Sequence, residues 1–432
     1  MSAETFLMAF VLMVGLMLIG IPIAATMVLV GALGGLLAFG PPFLNSSASV
    51  IWGVLNDSLL TAAPLFVLAG ELLLRSGVAD RMYLALGAWL SRLPGGLLHT
   101  NIGCCALFAA TSGSSVATAA TIGTVALPSL AARGYSMKDS LGSIAAGGTL
   151  GILIPPSVNM IVYGSLTQTS IGKLFTAGVI PGVLLTLCFM AYILATSLWR
   201  GETRRETESV PPLRERVRLL AYLVPPVVVF GVVMGSIYSG IATATESAAL
   251  AVLAALFFSW RSGQFSLELL RNCFMQSARI SGMILLIIVS AFVLNLLISL
   301  SGVADVMTKW ITSFGLSAAT MLLVLIVFYL ILGMFMDVMS MLVATVPITF
   351  PIVTALGVDP IWYGIFVILM CELALITPPV GMNLFVVHGI RPDKGGIDDV
   401  IWGAVPYAVI MILFTLLLMG FPALATWMPQ RM

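Results

Sequence analysis

Charge is the scarcest commodity in this sequence. Only 9% of its 432 residues are Asp, Glu, Lys or Arg, against 60% hydrophobic, whereas a soluble domain carries about 25% charged residues. So few charges cannot cover the surface of a water-soluble fold this large, which excludes a soluble enzyme or binding module. The formal net charge is +1, so the chain lacks the basic footprint that nucleic acid demands. Only two histidines occur, His99 and His388, too few for a histidine-based metal centre. The five cysteines (Cys104, Cys105, Cys188, Cys273, Cys371) lie mostly in apolar segments without metal spacing and read as small buried hydrophobes. A Walker A pattern is missing as well. Gly164 to Gly172-Lys173-Leu174 has the wrong spacing and lacks the final Ser or Thr, which disfavours a nucleotide-driven pump. The N-terminus has no basic n-region before its apolar stretch from Phe6 to about Phe39, so it does not read as a secretory signal. Pro22 there either kinks one long helix or separates two short ones.

What the chain has instead is length of apolar run. Leu174–Leu198, Leu219–Tyr238, Met283–Leu300 and Ala404–Leu424 approach or reach the roughly 20 residues that cross hydrocarbon, and the same rule applied throughout gives about ten to twelve crossings. The expected fold class is an all-α polytopic membrane protein, solvated by membrane lipid.

The chain also repeats itself. Ser-Gly-Val-Ala-Asp occurs at Ser76–Asp80 and at Ser301–Asp305. Ile152–Pro156 matches Leu375–Pro379, Leu127-Pro128 matches Phe350-Pro351, Asn159 matches Asn383, and Pro181 matches Pro406, all at offsets of 223 to 225 residues. The positive-inside rule places the Arg-rich stretch Arg200–Arg218 in the cytoplasm, and counting crossings from it leaves 16 basic residues inside and three outside (Lys173, Lys309, Arg431). That count puts equivalent connections of the two halves on opposite sides. Inverted repeats are a signature of transporters, because mirrored halves give inward-open and outward-open states of similar energy.

Two kinds of segment fail as ordinary spans. Thr111–Thr124 holds nine Ser, Thr or Gly among 14 residues. It reads as a re-entrant hairpin with its tip near Ser112–Ser115, or as a small-residue helix-packing face. The matching second-half segment, Phe335–Ser340, sets Asp337 in an apolar run. The second kind carries paired prolines, Pro155-Pro156 followed by Ser157 and Asn159, and Pro378-Pro379 followed by Gly381 and Asn383. Two consecutive prolines delete two backbone donors and clash with the preceding turn. Either the helix is merely kinked or it opens, freeing carbonyls for a cation and aiming a new positive helix N-terminus into the gap. Four acidic residues interrupt spans, namely Glu71, Glu246, Asp337 and Glu372. Asp337 is the best candidate for cation contact, Glu372 is placed to orient the second break, and Glu71 and Glu246 read as helix-packing or interfacial residues.

The motifs GSSVATAATIG (Gly113–Gly123), GILIPPS (Gly151–Ser157), LAGEL (Leu68–Leu72) and ELALITPPVGMN (Glu372–Asn383) together resemble the large membrane subunit of TRAP transporters, the tripartite ATP-independent periplasmic transporters. The resemblance implies an elevator-type transporter in a bacterial inner membrane, not an enzyme. Its organisation would be an N-terminal scaffold at 1–54 and a first inverted repeat at 55–199, with hairpin 99–133 and broken helix 141–166. A cytoplasmic loop at 200–218 and scaffold helices at 219–279 would precede a second repeat at 280–428, with hairpin 318–356 and broken helix 360–390. It further implies two Na⁺ sites, one joining Ser112, Gly113, Ser114 and Ser115 to Pro155 and Ser157, the other joining Asp337 and Ser340 to Thr377, Pro378 and Gly381. Substrate would lie near Ser115, Thr118, Asn159 and Asn383. The implied partners are a small four-helix membrane subunit and a periplasmic binding protein that delivers a small organic acid. Because Ser114 aligns with Asp337, the two ion sites are expected to differ chemically.

Two other readings compete. One is a self-sufficient Na⁺-coupled carboxylate transporter of the same wider fold. The other is an intramembrane serine hydrolase built on Gly113-Ser114-Ser115 with His388 as base, which lacks any further triad signal.

Overall fold

The computed structural model describes residues 11–17, 19–201, 211–302, 306, 308–309 and 315–432. Val303, Ala304 and Asp305 of the second Ser-Gly-Val-Ala-Asp copy, and Arg204 and Arg205 of the Arg-rich stretch, lie outside the described residues. Within them all regular structure is helical. A helical stretch at residues 11–17 precedes α1 (Ile23–Phe39) and α2 (Pro42–Leu55). Pro22 stands at the N-cap of α1, so it separates two helices rather than kinking one. Next come α3 (Ala62–Arg75) and α4 (Val78–Leu90). A hairpin follows, α5 (Leu97–Ser112) and α6 (Ser115–Ala132), then a bent pair, α7 (Met137–Leu153) and α8 (Val158–Thr167), and the long α9 (Ile171–Trp199). Between the halves run α10 (Leu213–Leu219), α11 (Val224–Tyr238), α12 (Ala244–Arg261) and α13 (Leu267–Ser301). The second half repeats the order with hairpin α14 (Ala318–Gly333) and α15 (Val338–Ala355), the broken pair α16 (Pro360–Leu375) and α17 (Met382–Gly389), α18 (Asp398–Gly420) and the short α19 (Ala423–Thr426).

Local chemistry explains the boundaries. Ser114, Ser136, Ser170, Ser266 and Ser317 each cap a helix by accepting a bond from a backbone N–H of its first turn, satisfying a donor the helix leaves orphaned. Asp359 does the same before Pro360, which occupies the position where a missing N–H costs nothing. Pro128 in α6 and Pro351 in α15 fall at the same distance from their helix starts. Glu246 stands in the first turn of its helix, as an interfacial residue would. It forms a capping box with Thr243 at the start of α12, where a carboxylate also complements the helix dipole.

Among the described residues, seven helices are long and apolar enough to cross a membrane, or eight if the α7–α8 pair, bent by 41°, counts as one span. This is fewer than run length suggests, because α1, α5, α14 and α16 are apolar but only 10–17 residues long. One arm of each hairpin, α6 and α15, is among the seven, while the other arms, α5 and α14, fall short of that length. Each hairpin is tied to its surroundings by buried hydroxyls and amides. Tyr83 donates to Asn101 at 3.0 Å, and Asn101 donates to Ser143 of α7 at 2.8 Å. In the second half the Tyr329 hydroxyl lies 2.9 Å from Thr345, 3.3 Å from Thr349 and 3.4 Å from Tyr363.

The centre of the core is α7, which packs on α5, α6, α16, α17 and α18. Small residues permit this density. A Cβ on Gly142 would collide with the backbone of Gly403, and one on Gly403 with the Lys138 carbonyl. A second layer of α1, α3, α12 and α13 packs against this core. The Arg-rich stretch is not uniformly solvated, as its composition suggested. Arg216 is buried, with its guanidinium 4.2 Å from the Trp89 ring centroid and its Nε donating to Ala88 O at 3.0 Å. All five cysteines are free, and four are buried.

Candidate functional site

The first hairpin tip sits on the first helix break. Gly113 ends α5 at φ 59°, a conformation that only glycine adopts without cost, and the chain reverses there into α6. A Cβ at Gly113 would lie 2.7 Å from Pro156 O, and one on Gly151 would lie 2.8 Å from the Ser114 carbonyl. Ser115 Oγ donates to Thr149 O at 3.1 Å. Tip and break therefore touch backbone to backbone. Pro155 and Pro156 remove the N–H groups that would serve the Gly151 and Ile152 carbonyls, and the Pro155-Pro156 bond is cis. Ser157 is fully buried, and its Oγ has no hydrogen-bond partner among the described residues.

The second half is built alike but differs in charge and in access. Asp337 caps α15, its carboxylate accepting from Met339 N, Ser340 N and the Ser340 hydroxyl. Ser114 holds the equivalent cap of α6, accepting from Ala117 N. A carboxylate therefore replaces a hydroxyl at equivalent positions. The Pro378-Pro379 bond is also cis. Thr377 Oγ1 donates to Leu373 O at 2.7 Å, and Gly381 packs against the carbonyls of Leu375 and Thr377. Residues Ile152 to Asn159 around the first break are all buried, whereas Pro379, Val380 and Met382 at the second are exposed.

Both tips open into one cavity of about 330 Å³. Ser112 to Ala117 line one side and Asp337 to Met339 another, with Asn159 behind the first break and Met382 behind the second. The structure thus brings Ser112, Gly113, Ser114, Ser115, Asn159 and Asp337 together around a shared space. Pro155, Ser157, Ser340, Thr377, Pro378 and Gly381 do not line it; they lie at the breaks and in the tip helix. Thr118 and Asn383 do not line the cavity. Thr118 braces the tip, its hydroxyl 2.9 Å from Ser112 Oγ and 2.7 Å from Ser114 O. Asn383 is fully buried and donates to Ala145 O of α7 at 3.2 Å, leaving its Oδ1 without a partner.

Sequence reasoning missed the apolar wall. Val67, Gly70 and Leu74 of α3 and Ile280, Met283 and Ile284 of α13 close the cavity, and nothing in their apolar pattern separates them from ordinary core. Glu71 also lines it, paired to Arg75 at 3.2 Å, so a guanidinium lies one helical turn from the wall.

The donor set at the tips and breaks consists of hydroxyls, peptide carbonyls and one carboxylate. This all-oxygen set suits a hard cation. Among the described residues no three His, Cys, Asp or Glu side chains gather as a metal cluster. Neither Ser114 nor Ser115 bonds to His388; their hydroxyls serve Ala117 N and Thr149 O instead. A nucleophile needs a base within hydrogen-bond reach, so the hydrolase reading has no support in the site.

Comparison with known proteins identifies the family. A profile of the family "Tripartite ATP-independent periplasmic transporter, DctM component" matches residues 10–424. The chain is 35% identical over 401 residues to the C4-dicarboxylate TRAP transporter large permease protein DctM of Pseudomonas aeruginosa, covering 91% of this chain and 92% of the relative. It is 28% identical to the sialic acid TRAP transporter large permease protein SiaM of Vibrio cholerae, covering 96% of each. Its fold is similar to that of the YdaH transporter of Alcanivorax borkumensis, with a TM-score of 0.66, 16% identity and 90% of each chain covered. The chain therefore belongs to the DctM family of tripartite ATP-independent periplasmic transporters, as a multi-pass membrane permease component of a tripartite system and not an enzyme.

Proposed function

We propose that this permease imports a small organic acid delivered by a periplasmic binding protein, using a Na⁺ gradient. The shared cavity is the observation that carries the reading. Both hairpin tips and the residues behind both breaks line it, so ions bound at tip and break would shape the substrate's walls. Na⁺ sites at Ser112–Ser115 with Pro155 and Ser157, and at Asp337 and Ser340 with Thr377, Pro378 and Gly381, are supported by the freed carbonyls, the unpartnered Ser157 hydroxyl and the Asp337 carboxylate. Asn159, Ser115 and the positive starts of α8 and α17 would meet the acid, with Thr118 and Asn383 holding those surfaces from behind. Relatives that carry a C4-dicarboxylate and sialic acid favour an acidic substrate.

In this reading the two halves have inverted topology and the hairpins and broken helices form an elevator. It moves against a scaffold of residues 1–54 and 219–279, with residues 200–218 in the cytoplasm of a bacterial inner membrane. A separate small four-helix subunit completes the permease. The test is reconstitution. Proteoliposomes holding this chain and the small subunit are mixed with the binding protein, and uptake of a panel of labelled C4-dicarboxylates and sugar acids is followed with and without an inward Na⁺ gradient. Uptake that needs both binding protein and Na⁺ supports the proposal. Uptake by this chain alone favours the self-sufficient alternative, and uptake indifferent to Na⁺ removes the coupling ion.

A further inference from the structure

Four buried side-chain atoms without a hydrogen-bond partner among the described residues belong to residues beside the two helix breaks: Ser157 Oγ, both carboxyl oxygens of Glu372, and Asn383 Oδ1. Glu372 stands apart among them, because it alone can carry a charge. It lies on α16, wholly buried at 0% exposure, and its carboxyl approaches the Leu153 peptide, the last of α7 before the first break. A carboxyl from the second half is thus inserted beside the break of the first. The aligned residue of the first half, Thr149, is also buried, but its hydroxyl is satisfied by Ala146 O at 2.7 Å. Thr can satisfy itself on its own helix, whereas an ionised carboxylate, having no donor, cannot.

No cation stands opposite Glu372 among the described residues. The helices packed on α16 are α7, α8, α9, α14, α15, α17, α18 and α19, and their titratable groups are engaged or exposed elsewhere. Asp139 pairs with Arg200, and Asp399 with Arg391. Tyr163 and Tyr329 pack around Tyr363, and Tyr192 and Tyr407 pack on each other. Lys138, Lys173 and Asp398 are exposed, Cys188 is half-buried, and His388 lies near Asp393. Among the titratable groups described, only Cys371, the chain neighbour of Glu372, acts on it, and Cys371 also feels the exposed Asp337 at the second tip. A carboxylate buried without a counter-charge is so costly that the group takes up a cation or a proton instead. A metal cation requires several oxygen ligands at once, and no side-chain oxygen bonds this carboxyl. A proton requires only the carboxyl itself.

We propose that Glu372 is a proton-binding site of this transporter, neutral in the conformation described here, separate from both tips, and exchanging its proton when the packing of α16 on α7 opens. The site stands independently of the Na⁺ reading of the tips; only the second arm of the test uses that reading. In the first arm, infrared spectra of the purified full chain are compared with those of Glu372→Gln at neutral pH. The wild type should show the carbonyl stretch of a protonated carboxyl that the variant lacks, and saturating NaCl should leave it in place. Identical spectra would overturn the proposal. Loss of the band on adding NaCl at constant pH would overturn it too, making the site a Na⁺ site.

In the second arm, the NaCl concentration for half-maximal thermal stabilisation is measured between about pH 6 and about pH 9. Linkage between proton and Na⁺ makes it vary by about threefold or more in the wild type, stay flat in Glu372→Gln, and vary about a displaced midpoint in Glu372→Asp. A variant that keeps the wild-type pH dependence overturns the exchange. If Glu372→Gln does not fold, the Glu372→Asp band shift and the wild-type titration decide alone. Absence of any NaCl response refutes the tip sites and leaves the infrared arm to decide the proton site.

Discussion

Replacing Gly113 with Ala tests the central contact of the site. The perturbation has two parts. At φ 59° an L-residue is strained by about 1–2 kcal/mol. The added methyl would also sit 2.7 Å from Pro156 O, a backbone atom that cannot swing away, and overpacking of this kind costs about 1–3 kcal/mol. The sum, about 2–5 kcal/mol, falls on the contact between tip and break. At 1.4 kcal/mol per decade this raises the open population of the tip by about 30-fold to several thousandfold. Hydrogen–deuterium exchange of the amides at the start of α6 reads that opening directly and needs no substrate. The control is Gly134→Ala, at φ 66° with nothing within 4 Å of its Cβ. It carries the backbone strain alone, at the far end of α6, and should leave tip exchange unchanged. Equal tip protection in the two variants would refute the reasoning, because the Pro156 contact would then contribute nothing to holding the tip.

Asp337→Asn keeps the α15 cap, since Asn caps as well as Asp, but removes the charge. If the carboxylate holds Na⁺, the NaCl needed for half-maximal stabilisation should rise about ten- to a hundredfold, and Asp337→Ala should add a loss of about 1 kcal/mol in stability. An unchanged NaCl dependence in Asp337→Asn removes this residue from the site. Gly142→Ala should lower the unfolding temperature, at a cost of about 1–3 kcal/mol, because its Cβ meets the Gly403 backbone. Gly235→Ala, in α11 with open space around it, should raise stability by about 0.5–1 kcal/mol. The Arg391 guanidinium holds the Asp393 carboxyl below its ordinary range, through bonds of 2.6 and 2.8 Å. The folded state therefore binds this proton less readily than the unfolded state. The stabilisation is present above the unfolded value and is lost as pH falls below about 4. Thermal unfolding across that range should show an acid limb that shrinks in Asp393→Asn and in high salt, since the pair is partly exposed.

The breaks were legible because proline acts locally. Paired prolines cannot be accommodated inside a helix, and the helices that end at Leu153 and Leu375 restart only at Val158 and Met382. The asymmetry of Ser114 and Asp337 was legible for a similar reason, since a cap is defined by its own next turn. What was not legible depends on packing. The outward face of a helix restarting after a break is set by what it lands on, so Asn159 was placed at the cavity while Asn383, its match, turns into α7. Arg216 carries no sign in sequence that it will lie on Trp89 rather than in water. The apolar cavity wall at Val67 and Ile284 uses the same residues as any apolar interior.

The backbone contact between Gly142 and Gly403 has a kinematic consequence. α7 leads into the first break, and α18 follows the second. With no side chain between them, there is no room for sliding at the crossing, which acts as a weld. A displacement of the first broken helix must therefore carry the last long helix with it. In the proposed elevator, the pieces that frame the cavity at the breaks would then travel as one stiff unit, with flexing left to the connections that lead away from that joint.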